Sequence, residues 1–351
     1  MNRRTFLGTT AGGVAGILAA GRAPAVAQTR EITMLTWNHF VPASDDRLKE
    51  IAAAYSKQGK VNVKVDFMRH NDFPAKLAAE SQTKAGHDIV LVQNQRPALF
   101  RDHLVDLNDL CEELGKKYGG WWPISEDANK IGGKWKAVGW FFNSFPGTYR
   151  TDYFEAVQEK APVTWADLMR AGKKLKKSGH PIGFAISQAA FDANDTLWPL
   201  IWAHGARLME KDGKTIAVNS KEMVAAVEYV REVYADCMEP EVLSWDDAAN
   251  NRFMLSGKGS WTLNPVSIYA AAKKDVPEMV KHLDHHVPCR GPAGQFGSGN
   301  TFNLGIWNFS KNIDASKEFL RYMFEKKNFE SWMEGGKPFN HPALREFDKH
   351  P

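Results

Sequence analysis

Three apolar segments separated by two helix-period stretches open the folded part of this chain, and that alternation restricts the architecture more than any other feature. Glu31 to Thr36 and Asp88 to Val92 read as buried strands, while Val61 to Phe67 alternates apolar and polar residues with the period of two expected of a strand covered on one face. Between them, Leu48, Ile51, Ala52 and Tyr55 recur at helical spacing, as do Leu77 and Ala78. Strand, helix, strand, helix, strand predicts an α/β organisation with parallel strands, because each helix returns the chain to the edge where the next strand begins.

A second α/β block is expected after the Gly132-Gly133 turn. Thr164-Trp165-Ala166-Asp167 has the form of a capping box opening a helix to about Lys176, and Met223, Ala226, Val227, Val230 and Tyr234 trace one apolar helix face. Pro288 to Gly294 is rich in proline and glycine and reads as a crossover or loop. It precedes an apolar strand over Phe302 to Phe309 and a helix with Phe319, Leu320, Met323 and Phe324 inward.

The N-terminus reads as an export signal. Arg3-Arg4 precede Phe6-Leu7, an apolar run extends from Thr9 to Ala20, and Ala25-Val26-Ala27 offers a small-residue cleavage site, the pattern of a bacterial twin-arginine leader over residues 1–27. The run is well short of the roughly twenty residues a spanning helix needs, so cleavage near Gln28 and release into the periplasm are expected. Removing the leader from 351 residues leaves 324, enough for two domains, with 42 basic residues against 41 acidic ones. So even a balance provides no field to gather polyanions, and nucleic acid is not an expected partner. Cys111, Cys237 and Cys289 allow at most one disulfide and no metal-binding or redox pair.

Because the twin-arginine route exports folded proteins, cofactor and catalytic motifs need testing. No phosphate-cradling loop, H-E-x-x-H, C-x-x-C or G-x-G-x-x-G pattern is present. Ser81-Gln82-Thr83-Lys84 matches a nucleophile spacing but falls in an amphipathic helix without companion motifs. His282, His285 and His286 have only Asp284 beside them and are expected at a solvated helix end, while Asp45-Asp46 and Asp246-Asp247 are expected as exposed turn or cap residues. No cofactor, metal or catalytic residue is therefore assigned.

Eight segments, in order, resemble the extracellular solute-binding proteins of ABC importers, in the carbohydrate-binding branch that includes maltose-binding protein. They are Thr36 to Phe40, Gly86 to Val90, Gly133 to Val138, Thr148 to Phe154, Pro162 to Leu168, Trp198 to Gly205, Phe253 to Trp261 and Gly305 to Ser310. Arg150-Thr151 departs from that family's usual Asn-Lys. The resemblance implies a two-lobe, type II periplasmic-binding-protein fold with hinge-linked lobes, the chain crossing between them more than once and the ligand in the cleft. It implies lobe one over 28–140 plus 285–327, and lobe two over 141–284 plus 328–351. It further implies a monomer that captures a sugar or polyol and delivers it to ABC permease subunits; a periplasmic sugar-active enzyme and a sensor partner are the alternatives.

Carried over residue by residue, the resemblance nominates Trp37, His39, Asn94, Gln95, Arg96, Asn143, Asp195, Asn264, Ser267 and Asn300 as ligand-binding, with Asp195 the single cleft acid. Trp198, Trp202 and Trp307 are left to the core. Gln95 stands beside Arg96 where the maltose-binding relative has an acid, and Ser267 stands where that relative stacks a tryptophan, which implies a different and smaller substrate. Relatives continue for several more helices past His341 to Pro351, so lobe two is expected to be incomplete, with apolar surface uncovered and lower stability than lobe one.

Overall fold

The computed structural model describes residues 30–349 except 60, 190, 211 and 213, so the export leader lies outside the described residues. Lobe one is built on a six-stranded sheet. Its first strands and helices are β1 (Arg30–Trp37), α1 (Pro42–Ser56), β2 (Val61–Met68), α2 (Phe73–Thr83) and β3 (Ile89–Gln93), followed by the single turn α3 (Arg96–Leu99). β1 pairs in parallel with both β2 and β3, as the alternation predicts. Every residue of β3 is buried, the pattern of a strand covered on both faces.

From β4 (Val138–Ser144) the chain passes into β5 (Gly147–Arg150), the central strand of lobe two's three-stranded sheet. Gly147 is obligatory there, since a Cβ would lie 2.1 Å from the His286 ring. α4 (Trp165–Lys177) starts at the expected capping box, with Thr164 and Asp167 each bonding the other's backbone N–H. α5 (Asp192–Ala203), α6 (Lys221–Cys237), β6 (Trp261–Leu263) and β7 (Leu283–His286) follow. The chain returns through Gly297–Gly299 into β8 (Gly299–Ile306), which runs antiparallel between β3 and β4. Phe145 N–H donates to Ser298 O at 3.2 Å, so the two crossing segments lie side by side as a hinge. α7 (Ile313–Met323), α8 (Lys326–Gly335) and β9 (His341–Pro342) complete lobe one.

Several sequence expectations are corrected. The segment assigned to lobe two at the C-terminus packs on lobe one: Phe329, Trp332, Phe339, Leu344 and Phe347 join its core, Trp332 stacks on Trp140 at 4.3 Å, and β9 pairs with β4. Residues 285–298, expected in lobe one, stay with lobe two, because β7 pairs with β5 and Cys289 sits in the second core. Pro288 to Gly294 is a hairpin and not the crossover. On α6 the expected face is largely the one that packs, with Ala226 buried and Val230 and Tyr234 against the second core, but Val227 is exposed and Val233 and Cys237 are buried beside that face. His285 and His286 lie on strand β7, partly buried, and Trp261 Nε1 donates to His286 at 2.7 Å; they are not a helix end. All three cysteines are free and buried, and burial raises each thiol's pKa.

The four core aromatics and aliphatics expected on α7 are all buried. Among the described residues, eleven of the thirteen exposed large apolar side chains lie between Val163 and Phe296, so surface hydrophobicity is concentrated on lobe two. No described helix is long and apolar enough to cross a membrane.

Candidate functional site

α5 forms lobe two's wall of the cleft. Its first N–H groups are capped from a distant turn: Asp247 Oδ1 accepts from Phe191 N at 3.3 Å and Asp192 N at 3.0 Å. Ala193, Thr196, Leu200 and Ala203 are buried, which leaves Asn194, Trp198 and Trp202, spaced by four, on the opposite face. These three line a cavity of about 510 Å³ together with Asn94, Gln95 and Arg96 from lobe one and Gly297–Gly299 from the hinge. Trp198 and Trp202 lie nearly parallel, 17° apart with centroids at 6.1 Å, and Trp202 is 37% exposed. They present a broad aromatic surface beside fixed polar groups, the composition of a small-molecule pocket.

A relay of hydrogen bonds crosses the cavity floor. Asp195 accepts from Ser298 Oγ at 2.8 Å and from Asn300 Nδ2 at 2.7 Å, and Asn94 Nδ2 donates to Asn300 Oδ1 at 2.6 Å. Asn94 has φ +53°, a left-handed conformation that asparagine tolerates, and it turns the side chain back to accept from Thr301 N at 2.9 Å. Burial pushes the Asp195 carboxyl up to about 6, against the lowering effect of the bonds from Ser298 and Asn300. Burial also lowers the pKa of Arg96, opposed by Asp195 and Asp247.

The lobes meet at Phe191. On one side His70 stacks on its ring at 3.8 Å between centroids, and on the other the Arg96 guanidinium lies 4.6 Å from the ring centre. Beyond this clasp is a second interlobe cavity of about 550 Å³, lined by His39, Phe40, Arg69 and His70 from lobe one and by Asp246 and Asp247 from lobe two.

His39 borders that second cavity but is itself 6% exposed, and it bonds inward: Val41 N donates to Nδ1 at 2.9 Å, which places the proton on Nε2, 2.9 Å from Asn340 Oδ1. Burial lowers its pKa from 6.5 to about 4. A lowered histidine pKa contributes stability above the unfolded value, which is lost as pH falls through the folded one. Between pH 6.5 and 4, His39→Gln should therefore flatten the decline in stability by about 3 kcal/mol relative to the parent chain. Asp45 and Asp195, each raised to about 6, act in the opposite sense, so the parent-minus-variant difference in denaturation profiles is the quantity that tests this.

Of the ten nominated residues, Asn94, Gln95, Arg96 and Asp195 line the first cavity, Asn300 supports them, and His39 edges the second. Trp37 does not reach either cavity: it is 1% exposed, sandwiched near Phe302 and His70 at 5.3 and 4.7 Å. Asn143 is buried in the β4–β8 ladder opposite Asn300. Asn264 and Ser267 bond each other at 3.0 Å within a lobe-two network that includes Asn250 and Asn251, since their turn folds inward. Asp195 is not the cleft's single acid, and Asp247 is not exposed: it is 3% accessible and faces the second cavity. Trp198 and Trp202, expected in the core, line the first cavity, whereas Trp307 is core, as expected. The Asn194, Trp198, Trp202 spacing could have disclosed the aromatic wall; His70, Phe191 and Asp247 had no local signal. Among the described residues no acid, histidine and cysteine cluster could hold a metal ion.

Residues 50–348 match the family model of bacterial extracellular solute-binding proteins, and the chain belongs to that family. A Deinococcus radiodurans protein named "Probable ABC transporter-binding protein" is 24% identical over 318 residues, 85% of this chain and 73% of that one. The fold is shared with maltose-bound MalE3 of T. maritima (TM-score 0.79, 20% identity, 91% of this chain and 83% of that one). It is shared equally with an Arthrobacter chlorophenolicus A6 sugar transporter protein with bound laminaribiose (0.79, 20%, 92% and 81%). An Agrobacterium radiobacter K84 solute-binding protein in complex with ribitol is similar too (0.77, 17%, 90% and 81%). The two-lobe fold expected from the sequence is thus the fold observed.

Proposed function

We propose that this chain is the exported substrate-binding component of an ABC importer, that it captures a neutral sugar-like or polyol-like solute between its lobes, and that it hands the solute unchanged to a permease. The observation that carries the reading is the 510 Å³ interlobe cavity, where the Trp198–Trp202 pair faces the polar row Asn94, Gln95, Arg96 and Asp195. Flat indole faces cover the apolar face of a sugar ring while amides and a carboxyl bond its hydroxyls. Family membership and relatives named for maltose, laminaribiose and ribitol support the same class. The twin-arginine leader supports export in folded form to the periplasm.

The test is a thermal-shift screen of the mature chain against sugars and polyols, followed by calorimetry on any solute that raises the melting temperature and by recovery of that solute. Asp195→Ala leaves Asn300 and Ser298 donors unpaired and should weaken the selected solute by about 10- to 100-fold, from a cost of about 1–3 kcal/mol. Stabilisation by another solute class alone would overturn the sugar reading, and chemical conversion of the solute would overturn the receptor reading in favour of a sugar-active enzyme.

A further inference from the structure

Lobe one leaves few large apolar side chains open to water, and those it does leave are gathered in one place. Among the described residues they are Leu99, 72% exposed, and Ile124, 38% exposed, and both line the first interlobe cavity. Leu99 ends α3, three residues past Arg96. Ile124 lies on the short helix Pro123–Asn129, against the hinge, where a Cβ on Gly299 would stand 3.0 Å from its Cδ1. The same cavity receives Trp198 and Trp202 from lobe two. Single apolar residues scattered over a surface need no explanation, whereas two from one lobe converging on a cavity with two indoles from the other do.

The cavity is therefore graded from a polar floor to an apolar mouth. Asp195 lies deep, 6% exposed, and its bonds from Ser298 and Asn300 tie it to the hinge and to lobe one. Leu99, Ile124 and Trp202 are open, and they form the rim. A hydroxyl-rich ring satisfies the floor, where amides and a carboxyl exchange hydrogen bonds with it. It does not satisfy the rim: leucine and isoleucine offer neither a hydrogen-bond partner nor a flat aromatic face, and hydroxyls pressed against them lose water with no bond in return. An apolar group gains from both sides of the rim, because it leaves water itself and covers side chains that are otherwise wet.

Taking the sugar-binding reading as its basis, we propose that the solute is amphipathic: a hydroxyl-rich head seated on Asp195 and the row Asn94 to Arg96, and an alkyl or aryl substituent held at the mouth between Leu99 and Ile124 of lobe one and Trp198 and Trp202 of lobe two. Glycosides with an apolar aglycone, and polyols carrying an apolar ether or acetal, have this form. Because the two halves of the rim belong to different lobes, the substituent is enclosed only when the lobes are together, so its burial favours the closed form. Leu99 and Ile124 are thereby specificity-determining residues, which select for the substituent and not for the sugar.

The test uses the mature chain and calorimetry on matched series: the methyl, butyl and phenyl glycosides of glucose, galactose, mannose and xylose in both anomers, and sorbitol with monobenzylidene sorbitol. In at least one series the butyl, phenyl or benzylidene member is expected to bind about ten-fold or more tightly than its methyl or unsubstituted twin, with a more negative heat-capacity change, the mark of added apolar burial. Leu99→Ser combined with Ile124→Ser should cut that preference by about three-fold or more, whereas Leu99→Met, which keeps the rim apolar, should retain it. Twins that bind alike, or a preference that the double serine variant keeps in full, overturn the amphipathic solute and leave the sugar reading intact. Failure of every series alongside binding of another solute class, or failure of all solutes, overturns both.

Discussion

Trp37→Ala is expected to lower the unfolding free energy by about 3–5 kcal/mol, the range for removing a large buried aromatic from a packed core. The indole is stacked against Phe302 at 5.3 Å, and Phe302 in turn lies 4.2 Å from Phe141 with the rings 5° apart, so the ring is one layer of an aromatic pile across β1, β8 and β4. Phe40 and Phe339 close its edges. Too large to be refilled by neighbours already in contact, the space left behind would persist as a cavity. Denaturant unfolding of the variant should show the loss, while solute affinity of the molecules that remain folded changes by less than about three-fold. The opposite pattern, affinity lost with stability kept, would return Trp37 to the binding site.

Phe191→Ala is expected to open the molecule and to weaken solute binding by about 10- to 100-fold. The ring is one of the points where the lobes hold each other, between the His70 imidazole at 3.8 Å and the Arg96 guanidinium at 4.6 Å, alongside the Asp195–Asn300 bond. An aromatic pair contributes about 0.5–1.5 kcal/mol beyond its area, and a partly desolvated cation over a ring about 0.5–2 kcal/mol. Removing both shifts the balance toward separated lobes by roughly 1–3 kcal/mol, and apparent affinity falls with the population of the closed form. Solution scattering of the solute-free variant should report a larger radius of gyration than the parent, and calorimetry the weaker binding. Unchanged scattering with unchanged affinity would mean that closure rests on other contacts. Because His70 and Arg96 remain, Phe191→Tyr serves as the control that keeps the ring.

Local physics makes the local elements legible in the sequence. The periods of β1, β2 and α1, the capping box at Thr164 and the inward face of α7 each depend on residues within a few turns of one another, and each is present as expected. Asn94, Gln95, Arg96 and Asp195, nominated through the resemblance, line the first cavity. Trp37 lies in the core and lines neither cavity, and a strand's alternation tells which side chains are covered, not whether solute or core covers them. Trp198 and Trp202 line the first cavity instead: an apolar, tryptophan-rich helix is usually core, and only the position of α5 at the hinge turns that face to the cavity.

Asp247 and His70 illustrate the remaining limit. They are 177 positions apart in the chain, on different lobes, and nothing in an Asp-Asp pair or a lone histidine marks them. Asp247 becomes buried because the N-terminus of α5 arrives from elsewhere and needs a cap; His70 becomes buried because Phe191 arrives with it. Sequence alone determined the α/β alternation, its motif order implied the two-lobe plan by resemblance, and it named four of the residues that line the first cavity, since periodicity, capping and motif order are short-range properties of the chain. Tertiary structure decided where the chain crosses between lobes, which lobe receives the last helix, which aromatics face the cleft, and which polar groups meet across the lobe boundary, because each of these depends on surfaces distant in sequence being packed together.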